Sequence, residues 1–589
     1  MTHSWYLGID FSASGIAAVL YDRQQNRSHP LSWLRSPSMS ANLENEAESP
    51  IFRLPVDGGD NPTFPIAIAP FPTYFHGAIP CYNRQSRQWE PQFGSAKDRN
   101  VVSLRQLQQA LQGLLETLNP EGQTSYLAST TELSEHSLKA ALQSLEGIVL
   151  SCSALWSDTY RFNLREAILE AKLVETPDRI FFLEEAIALS ITSHQRCPEA
   201  VERSRNELAE GSPVTSYPSS LPTSDFNSSQ QGILILQGGT TTTELALVEN
   251  LPLEALKRED WVLRGLEYGA KDLYCDIFCQ LLYSQWLPEQ KFLQNLKLEI
   301  PQPGEPDRPK RDRATLKIEN FSEGQSLLET AKRTLLILQK QEAFSTYLGQ
   351  QEWGVTRTAL VEKILQPFYT QLNRQINELL SQKGWYPGAI ARVFCSGEML
   401  TLILPLIRSW LCGKFPEAEI ALRPHNPNHF PIAEGLCRLP LFPQMLDRLH
   451  HQYGDYFLLA ELLRAIGDAP LTLEEIVKSL ERRGIPRACL WRVLPFLSGH
   501  LPEGFIPSAS VRVRMTAKSR EFLPYPAIAA APLLNSQPPL YFPNTLQKKR
   551  LQQYLAFLLA KSVQKLQDPL AIEFAAGLKS HNELAIDNK

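Results

Sequence analysis

The chain has 589 residues, of which 43% are hydrophobic and 21% are charged, and its formal net charge is −5 at pH 7. This length exceeds what one hydrophobic core organises, so two or more domains are expected. The slightly acidic balance excludes a global basic surface for nucleic acid. Nine scattered cysteines, together with a start that lacks secretory n- and h-regions, predict reduced thiols in the cytoplasm.

The first predicted element is a β-hairpin over residues 6–22, which read YLGIDFSASGIAAVLYD. Asp10 ends its first apolar run, and a carboxylate in such a strand requires a cation, water or a hydrogen-bond donor. The small residues Ser12, Ala13 and Ser14 follow, where backbone amides can approach phosphate oxygens. The pattern therefore predicts a Mg²⁺-bound phosphate at this turn, with an ordinary hairpin that has an Asp near its turn as the alternative.

A segment without Asp, Glu, Lys or Arg follows at residues 64–83 and reaches the length of a membrane span. Its prolines would break helical hydrogen bonding, so an irregular or edge-strand segment and no membrane contact are expected. These prolines are Pro65, Pro70, Pro72 and Pro80.

Strand-like apolar runs and helical patterns then alternate as far as residue 194, which favours a mixed sheet with flanking helices. Residues 148–161 predict a strand and a turn, and residues 179–189 predict a strand that delivers Glu184 and Glu185 to the start of a helix. Residues 195–231 are rich in Ser, Pro, Glu and Asn and predict a disordered insertion.

A second Gly-containing hairpin is predicted at residues 232–248, which read GILILQGGTTTTELALV. Two such hairpins imply two halves of one phosphate-binding site, one at each hairpin. Residues 300–313 interrupt the block that follows, and the charge run at 308–313 is expected to be a solvated loop rather than a nucleic-acid patch. Further motifs of this block are RGLEYGAKD (264–272), ETAKRTL (329–335), RVFCSGE (392–398) and FPIAEGL (430–436).

The last segment, residues 441–589, has helical periodicity at residues 456–466, 472–483 and 546–566. A Pro-rich stretch, residues 523–543, precedes the last of these helices. The pattern around residues 471–486 is compatible with a helix-turn-helix, but a helical module that packs or docks a partner is the favoured interpretation.

Taken in this order, the motifs resemble the ATPase domain of DnaK-type heat-shock chaperones, which belongs to the actin-like, sugar-kinase-like ATPase superfamily. The resemblance covers about residues 4–440 and rests on the order of the motifs. It implies an α/β fold with a duplicated ribonuclease-H-like architecture and a nucleotide cleft between two lobes. The expected division is lobe I at residues 1–194, the insertion at 195–231, lobe II at 232–440 and a mainly helical C-terminal module at 441–589.

The resemblance implies catalytic and metal-binding roles for three residues. Asp10 matches the aspartate that reaches Mg²⁺ through water, and Glu185 matches a glutamate that orients or deprotonates the attacking water. A shift of one residue would give this role to Glu184, and a glutamate that merely stabilises a helix start is the structural alternative. Lys97, in the sequence FGSAK, resembles the region of the family's catalytic lysine.

The second hairpin departs from the family pattern. The alignment that sets Glu244 on the family's second acid puts Gln237 at the leading aspartate, and glutamine brings neither negative charge nor basicity. Backbone and hydroxyl donors for phosphate remain. The residues that the resemblance assigns to the phosphates are Ser12, Ala13, Ser14, Gly238, Gly239, Thr240, Thr241, Thr242 and Gly269.

The resemblance places the nucleoside against Glu329, Lys332 and Arg333, which share one helical face at i, i+3 and i+4. An exposed charged face without a ligand is the alternative. Ser396 and Gly397 replace a Gly-Gly pair that passes beside the adenosine, and Glu398 follows them where the family has a serine.

The expected function is that of a chaperone-related, DnaK-like protein that binds ATP or ADP with Mg²⁺ and closes its lobes on the nucleotide. Weak or absent hydrolysis is expected because Gln237 lacks a charge, which would make the chain a pseudo-ATPase. A protein partner is expected at the C-terminal module, and nucleic acid is not. The alternatives are an active chaperone-type ATPase, and a regulatory scaffold whose C-terminal helices bind a protein or DNA.

Overall fold

The structure, a computed structural model, describes sixteen stretches of the chain. Among these residues, no helix is both long enough and apolar enough to cross a membrane. The described residues are 4–12, 15–35, 77–94, 101–122, 124, 126–194, 232–286, 293, 296–304, 307–319, 324–348, 351–422, 430–507, 514–537, 539–572 and 574.

The first unit, residues 4–194, is built on a five-stranded mixed sheet. The central strand β1 pairs parallel with β10 and antiparallel with β2, and the sheet order is β11-β10-β1-β2-β3. Strand β10 is buried along almost its whole length because helices cover both faces. The elements of the unit are β1 (Trp5–Ser12), β2 (Gly15–Asp22), β3 (Arg27–Pro30), β4 (Ser32–Arg35), β5 (Cys81–Asn83), β6 (Gln88–Glu90), β7 (Gln92–Gly94), β8 (Val101–Ser103), α1 (Leu104–Glu116), β9 (Tyr126–Ser129), α2 (Glu135–Gln143), β10 (Leu145–Cys152), α3 (Asp158–Glu170), β11 (Ile180–Glu184) and α4 (Glu185–His194).

The second unit, residues 232–422, carries a five-stranded mixed sheet in the order β14-β13-β12-β17-β18. Helix α5 continues through a π-helical stretch, Phe278–Tyr283, and α8 continues through another, Val361–Leu365. The elements are β12 (Gly232–Gly238), β13 (Thr243–Glu249), β14 (Val262–Leu266), α5 (Ala270–Ile277), α6 (Arg308–Glu319), α7 (Gly324–Lys340), β15 (Ala343–Leu348), β16 (Gln351–Thr356), α8 (Arg357–Leu360), α9 (Gln366–Lys383), β17 (Ile390–Ser396), α10 (Glu398–Leu402), α11 (Leu404–Lys414) and β18 (Glu419–Leu422).

The two five-stranded sheets have the same topology. In each sheet, the first strand in sequence is central. The next strand pairs antiparallel with it, and the third strand pairs antiparallel with the second on the same side. Two later strands lie on the other side, each parallel to its neighbour. The parallel side consists of β10 and β11 in the first sheet and of β17 and β18 in the second. A mixed α/β fold with a repeated sheet is therefore confirmed.

The two sheets share one hydrophobic core between them. Helix α12 (Pro431–Cys437) packs on β1, on β2 and on α4, although it follows the second sheet in sequence. A Cβ at Gly435 would lie 1.8 Å from the carbonyl oxygen of Ala188, so the two helices touch through their backbones. The core residues contributed by the sheets are Val149, Phe181 and Leu183 from the first and Ile233, Ile235, Ala246 and Val248 from the second.

The C-terminal unit, residues 448–574, is mainly helical, as predicted, but it also contains a three-stranded sheet in the order β19-β22-β21. The helix at Leu473–Arg482 begins with a capping box in which Thr472 and Glu475 exchange hydrogen bonds. The elements are α13 (Arg448–Gln452), α14 (Asp455–Ala465), β19 (Leu471–Thr472), α15 (Leu473–Arg482), α16 (Leu490–Leu497), β20 (Arg514–Met515), α17 (Ala517–Arg520), α18 (Pro524–Ala529), β21 (Leu534–Gln537), β22 (Leu540–Pro543) and α19 (Thr545–Leu559).

The C-terminal unit packs firmly on the first unit. Strand β20 pairs with β7, and the Glu166 carboxylate accepts hydrogen bonds from the backbone and side chain of Gln564. Farther along, Phe574 stacks on Phe181 with the ring centroids 4.6 Å apart, so the chain reaches the core between the two sheets. The C-terminal unit therefore contacts the first unit directly and reaches the core that the two sheets share.

One expectation about structure is wrong. The charge run at 308–313 forms the start of helix α6 rather than a solvated loop, and the Arg311 side chain is fully buried. Asp276 neutralises that guanidinium at 3.1 Å. The insertion at 195–231 and residues 64–76 lie outside the described residues, and residues 81–83 form the short strand β5.

Candidate functional site

The candidate site lies where the first hairpin, the second hairpin and the start of helix α4 come together. Asp10 stands near the end of β1, and residues 239–242 form the turn between β12 and β13. Glu244, just beyond that turn, accepts hydrogen bonds from the first unit: the Ala154 amide at 2.7 Å and the Ala186 amide at 2.9 Å. The structure thus brings both predicted hairpins to one place.

Asp10 is half-buried and interacts with the Ser151 hydroxyl at the end of β10. The same hydroxyl accepts a hydrogen bond from the Phe11 amide at 3.0 Å, which fixes its position. Burial raises the pKa of Asp10 to about 6, and the hydrogen bond from Ser151 opposes part of this rise. A nearby cation would return this carboxyl group to its ionised form.

Glu184 and Glu185 point to different partners. Glu184 ends β11 and is held by Arg258 of the second unit, with an N–O distance of 2.6 Å. Glu185 starts α4, and its pKa is raised well above the usual value by burial and by the negative charges of Asp10 and Glu244. Glu185, rather than Glu184, is therefore the carboxyl group that lies near Asp10.

Glu244 has both carboxylate oxygens engaged by the two amides of the first unit. Burial nevertheless raises its pKa to about 7, because the two hydrogen bonds offset only part of the desolvation. Together with Asp10 and Glu185 it forms a set of three interacting carboxyl groups. In such a set, burial and mutual repulsion favour the protonated forms, whereas a bound cation would favour the ionised forms.

Gln237 lies beside Glu244, since the two residues are directly paired across the second hairpin. Its side chain is 5% exposed, and within the described part of the chain Oε1 has no hydrogen-bond partner. A buried amide oxygen without a donor is costly, so a bound water or cation would stabilise it.

Mg²⁺ prefers oxygen ligands and keeps several of its waters. Asp10, Glu185 and the Gln237 amide oxygen provide such ligands, so the residues present fit a hydrated Mg²⁺. Their present arrangement is not yet a coordination shell: among the described residues, no group of three or more His, Cys, Asp or Glu side chains is placed to hold a metal ion.

The turn of the second hairpin is oriented by its carbonyl groups. The carbonyl oxygens of Gly239 and Thr240 accept from the amides of Ala270 and Lys271 at the start of α5, and that of Thr241 accepts from Arg308 at 3.1 Å. In a trans peptide the N–H points away from the C=O. The three amides that follow these carbonyls, at residues 240–242, are therefore directed away from α5 and α6, as in an anion-binding turn.

The turn also depends on close backbone contacts with two of the predicted site residues. A Cβ at Gly269, the N-cap of α5, would lie 2.4 Å from the amide nitrogen of Thr241. Gly397 has φ +97°, and a Cβ there would lie 2.2 Å from the carbonyl oxygen of Gly238. Both glycines let neighbouring loops pack directly on the second hairpin.

The predicted nucleoside residues converge on Tyr274, which the sequence analysis did not single out. Lys332 Nζ lies 5.8 Å from the centre of the Tyr274 ring, and Tyr274 Oη donates to Glu398 at 3.3 Å. Glu329 is close enough for its charge to raise the pKa of Tyr274, after larger contributions from burial and Glu398. Arg333, in contrast, is mostly exposed and pairs with Glu329 along α7 at 3.4 Å.

Other predicted residues have simpler outcomes. Ser396 ends β17, is 7% exposed and pairs in register with Gln237. Ser12 pairs with Gly15 at the end of the first hairpin, and its side chain is not described. Ala13, Ser14 and Lys97 lie outside the described residues.

Four contributors at this site were missed by sequence reasoning, and three of them have no local signal. Ser151 is the next-to-last residue of an apolar strand, Arg258 lies outside every predicted motif, Arg308 opens the charge run that was read as a loop, and Tyr274 lies one turn into a helix. Each acts through a partner distant in sequence. Only the spacing of Tyr274 from Gly269 gave a hint, because it puts the ring one turn beyond the predicted phosphate-side glycine.

Comparisons with protein-family models and with curated protein sequences find no match for this chain. The resemblance to DnaK-type ATPase domains therefore rests on the motifs and their order.

Proposed function

We propose that the chain is a DnaK-like, chaperone-related protein that binds ATP or ADP with Mg²⁺ between its two sheets and hydrolyses ATP weakly or not at all. The observation that carries the proposal is the repeated sheet topology, with the hairpins of both sheets meeting at Asp10, Glu185 and Glu244. A duplicated ribonuclease-H-like fold has this arrangement, and in such folds the nucleotide lies between the repeats.

The proposed phosphate site combines donors and a cation. The amides of residues 240–242 would meet phosphate oxygens, and Mg²⁺, which neutralises phosphate charge when bound, would be held through water by Asp10, Glu185 and Gln237. The nucleoside would lie near Tyr274, Lys332 and the Ser396–Gly397 loop.

Weak hydrolysis follows from two features of the carboxyl groups. Gln237 brings no charge to the cation, and Glu244 already has both of its oxygens engaged by backbone amides. Glu185 remains as a candidate base, but burial and, to a smaller extent, the negative charges of Asp10 and Glu244 raise its pKa, which disfavours the ionised form that a base requires.

Movement of the two units would act on the contacts that join them at the site. These are the Glu244 hydrogen bonds to Ala154 and Ala186 and the ion pair between Arg258 and Glu184. A nucleotide shifts such an equilibrium only through its different affinity for the two arrangements. The C-terminal unit packs on the first unit and would carry the change to a protein partner.

Isothermal titration calorimetry tests the binding claim. With Mg²⁺ present, wild-type protein is expected to bind ATP and ADP, and Asp10→Ala is expected to weaken binding by about tenfold, or 1.4 kcal/mol. Asp468→Asn is the control, because Asp468 is 80% exposed and lies in the C-terminal unit. Absence of any heat of binding with either nucleotide would end the proposal.

Single-turnover phosphate release separates this function from an active ATPase. The expected rate is no higher than that of Asp10→Ala. A wild-type rate clearly above that of the variant would establish the active enzyme instead.

A further inference from the structure

Two side chains of opposite charge contact the tip of the second hairpin. Arg308 donates to the Thr241 carbonyl, while the Glu398 carboxylate accepts from Thr240 Oγ1 at 3.1 Å. Glu398 is the first residue of α10, directly after Gly397, and it is half-buried. A negative charge is therefore built into the turn whose amides are suited to an anion.

Two hydrogen bonds join the Glu398 carboxylate to the turn and to helix α5. The carboxylate accepts from two neutral hydroxyl groups, those of Thr240 and Tyr274. The ammonium group of Lys332 lies over the Tyr274 ring, 5.8 Å from its centre. The side chain of Arg308 is itself shared with Asp272, at 3.7 Å, and with Asp312, at 3.4 Å.

An anion bound to the amides of this turn would lie near the Glu398 carboxylate, which accepts a hydrogen bond from the Thr240 hydroxyl of the same turn. In a partly desolvated site, two like charges a few ångströms apart repel each other, because little water screens them. The repulsion grows with the charge of the ligand and is absent for an uncharged nucleoside. The charge of Glu398 therefore acts on the phosphate part of a ligand, whereas its hydrogen bond with Tyr274, near the proposed nucleoside position, can also be accepted by a glutamine.

We infer that Glu398 is the specificity-determining residue of this site and that it selects against the phosphate chain, so that the cleft favours adenine nucleotides with few phosphates. This inference rests on the proposed nucleotide site and adds a ligand preference to it. Glu398→Gln keeps the length of the side chain and an oxygen acceptor while it removes the charge.

The test is calorimetric titration of adenosine, ADP and ATP, each with Mg²⁺, into wild-type protein and Glu398→Gln. The variant is expected to bind ATP about tenfold more tightly than wild type, ADP by a smaller factor, and adenosine equally well. A gain of affinity cannot arise from a misfolded variant. Glu398→Asp, which retains the charge, is expected to keep the wild-type order of affinities.

Glu419→Gln is the matched control, since it removes one negative charge at the opposite end of the same sheet, where Glu419 pairs with Arg392 at 2.8 Å. It is expected to leave all three affinities unchanged. An equal gain for adenosine and ATP in Glu398→Gln, or no gain for ATP, would overturn the inference while leaving the nucleotide site intact. If neither wild type nor Glu398→Gln binds any of the three ligands, the proposed function itself fails, and the inference fails with it.

Discussion

Strand β1 carries Asp10 near its end, whereas strand β12, which holds the same central position in the second sheet, carries Gln237. The next charged residue of the second hairpin, Glu244, is engaged by amides of the first unit. Both sheets keep the apolar pattern that fixes their topology, but the polar residues at their ends have different tasks. The first hairpin carries a carboxyl group that interacts with the Ser151 hydroxyl, whereas the carboxylate of the second hairpin joins the two units.

The largest expected effect comes from breaking the ion pair between Arg258 and Glu184, which joins the two units. Arg258→Ala leaves Glu184, whose side chain is 5% exposed, without its partner, and is expected to lower the free energy of unfolding by about 3 kcal/mol. Urea unfolding measures the change. The control is Arg264→Ala, which removes the ion pair between Arg264 and Glu378, two partly exposed side chains 3.9 Å apart. It is expected to lower the free energy of unfolding by less than about 1 kcal/mol. Equal effects of the two substitutions would show that Arg258 does not hold the units together.

A smaller effect is expected from making the first hairpin resemble the second. Asp10→Asn removes a carboxyl group whose pKa is raised to about 6. Because the folded state binds this proton more tightly than the unfolded state, the free energy of unfolding of wild type falls as pH rises from about 4 to 6. The variant lacks that loss and is expected to exceed wild type by about 2 kcal/mol at pH 8, which is less than the full pKa shift would give because Asp10 is only half-buried, with little difference near pH 4.

Unfolding curves at several pH values measure this difference. Asp468→Asn, at an exposed position, should follow wild type throughout. An Asp10→Asn variant that is less stable than wild type at pH 8 would mean that the carboxylate already has a stabilising partner.

The smallest expected effect is that of Mg²⁺ alone. A cation that binds Asp10 and Glu185 relieves their repulsion, so millimolar Mg²⁺ is expected to raise the free energy of unfolding of wild type at pH 8 by about 1 kcal/mol. Asp10→Asn should gain less. An equal gain in both proteins would place the cation elsewhere.

Much of the fold could be predicted from local patterns. The two hairpins have apolar alternation and Gly-containing turns, and the helices near residues 456–466 and 472–483 have caps and periodicity that place them within two residues of the observed bounds. The charge run at 308–313 misled because consecutive charged residues were read as a solvated loop, although Pro309 suits the first turn of a helix. The burial of Arg311 depends on Asp276, which no local pattern reveals.

Positions in the candidate site could be predicted where a turn or a helix start fixes the backbone, as it does for Glu185 at the start of α4. Asp10, Gln237 and Gly269 could be placed because their turns set their positions. Glu398 was identified only as a substitution beside the adenosine loop, because its contacts with Thr240 and Tyr274 join three segments that are distant in sequence.

A crystal structure of the protein grown with ATP and Mg²⁺ tests the central claim most directly. The phosphate chain is expected between Asp10 and the amides of residues 240–242, with the base near Tyr274 and Mg²⁺ within reach of the Asp10 and Glu185 waters. A nucleotide bound at another place, or no nucleotide between Asp10 and the amides of residues 240–242 at saturating ATP, would contradict it.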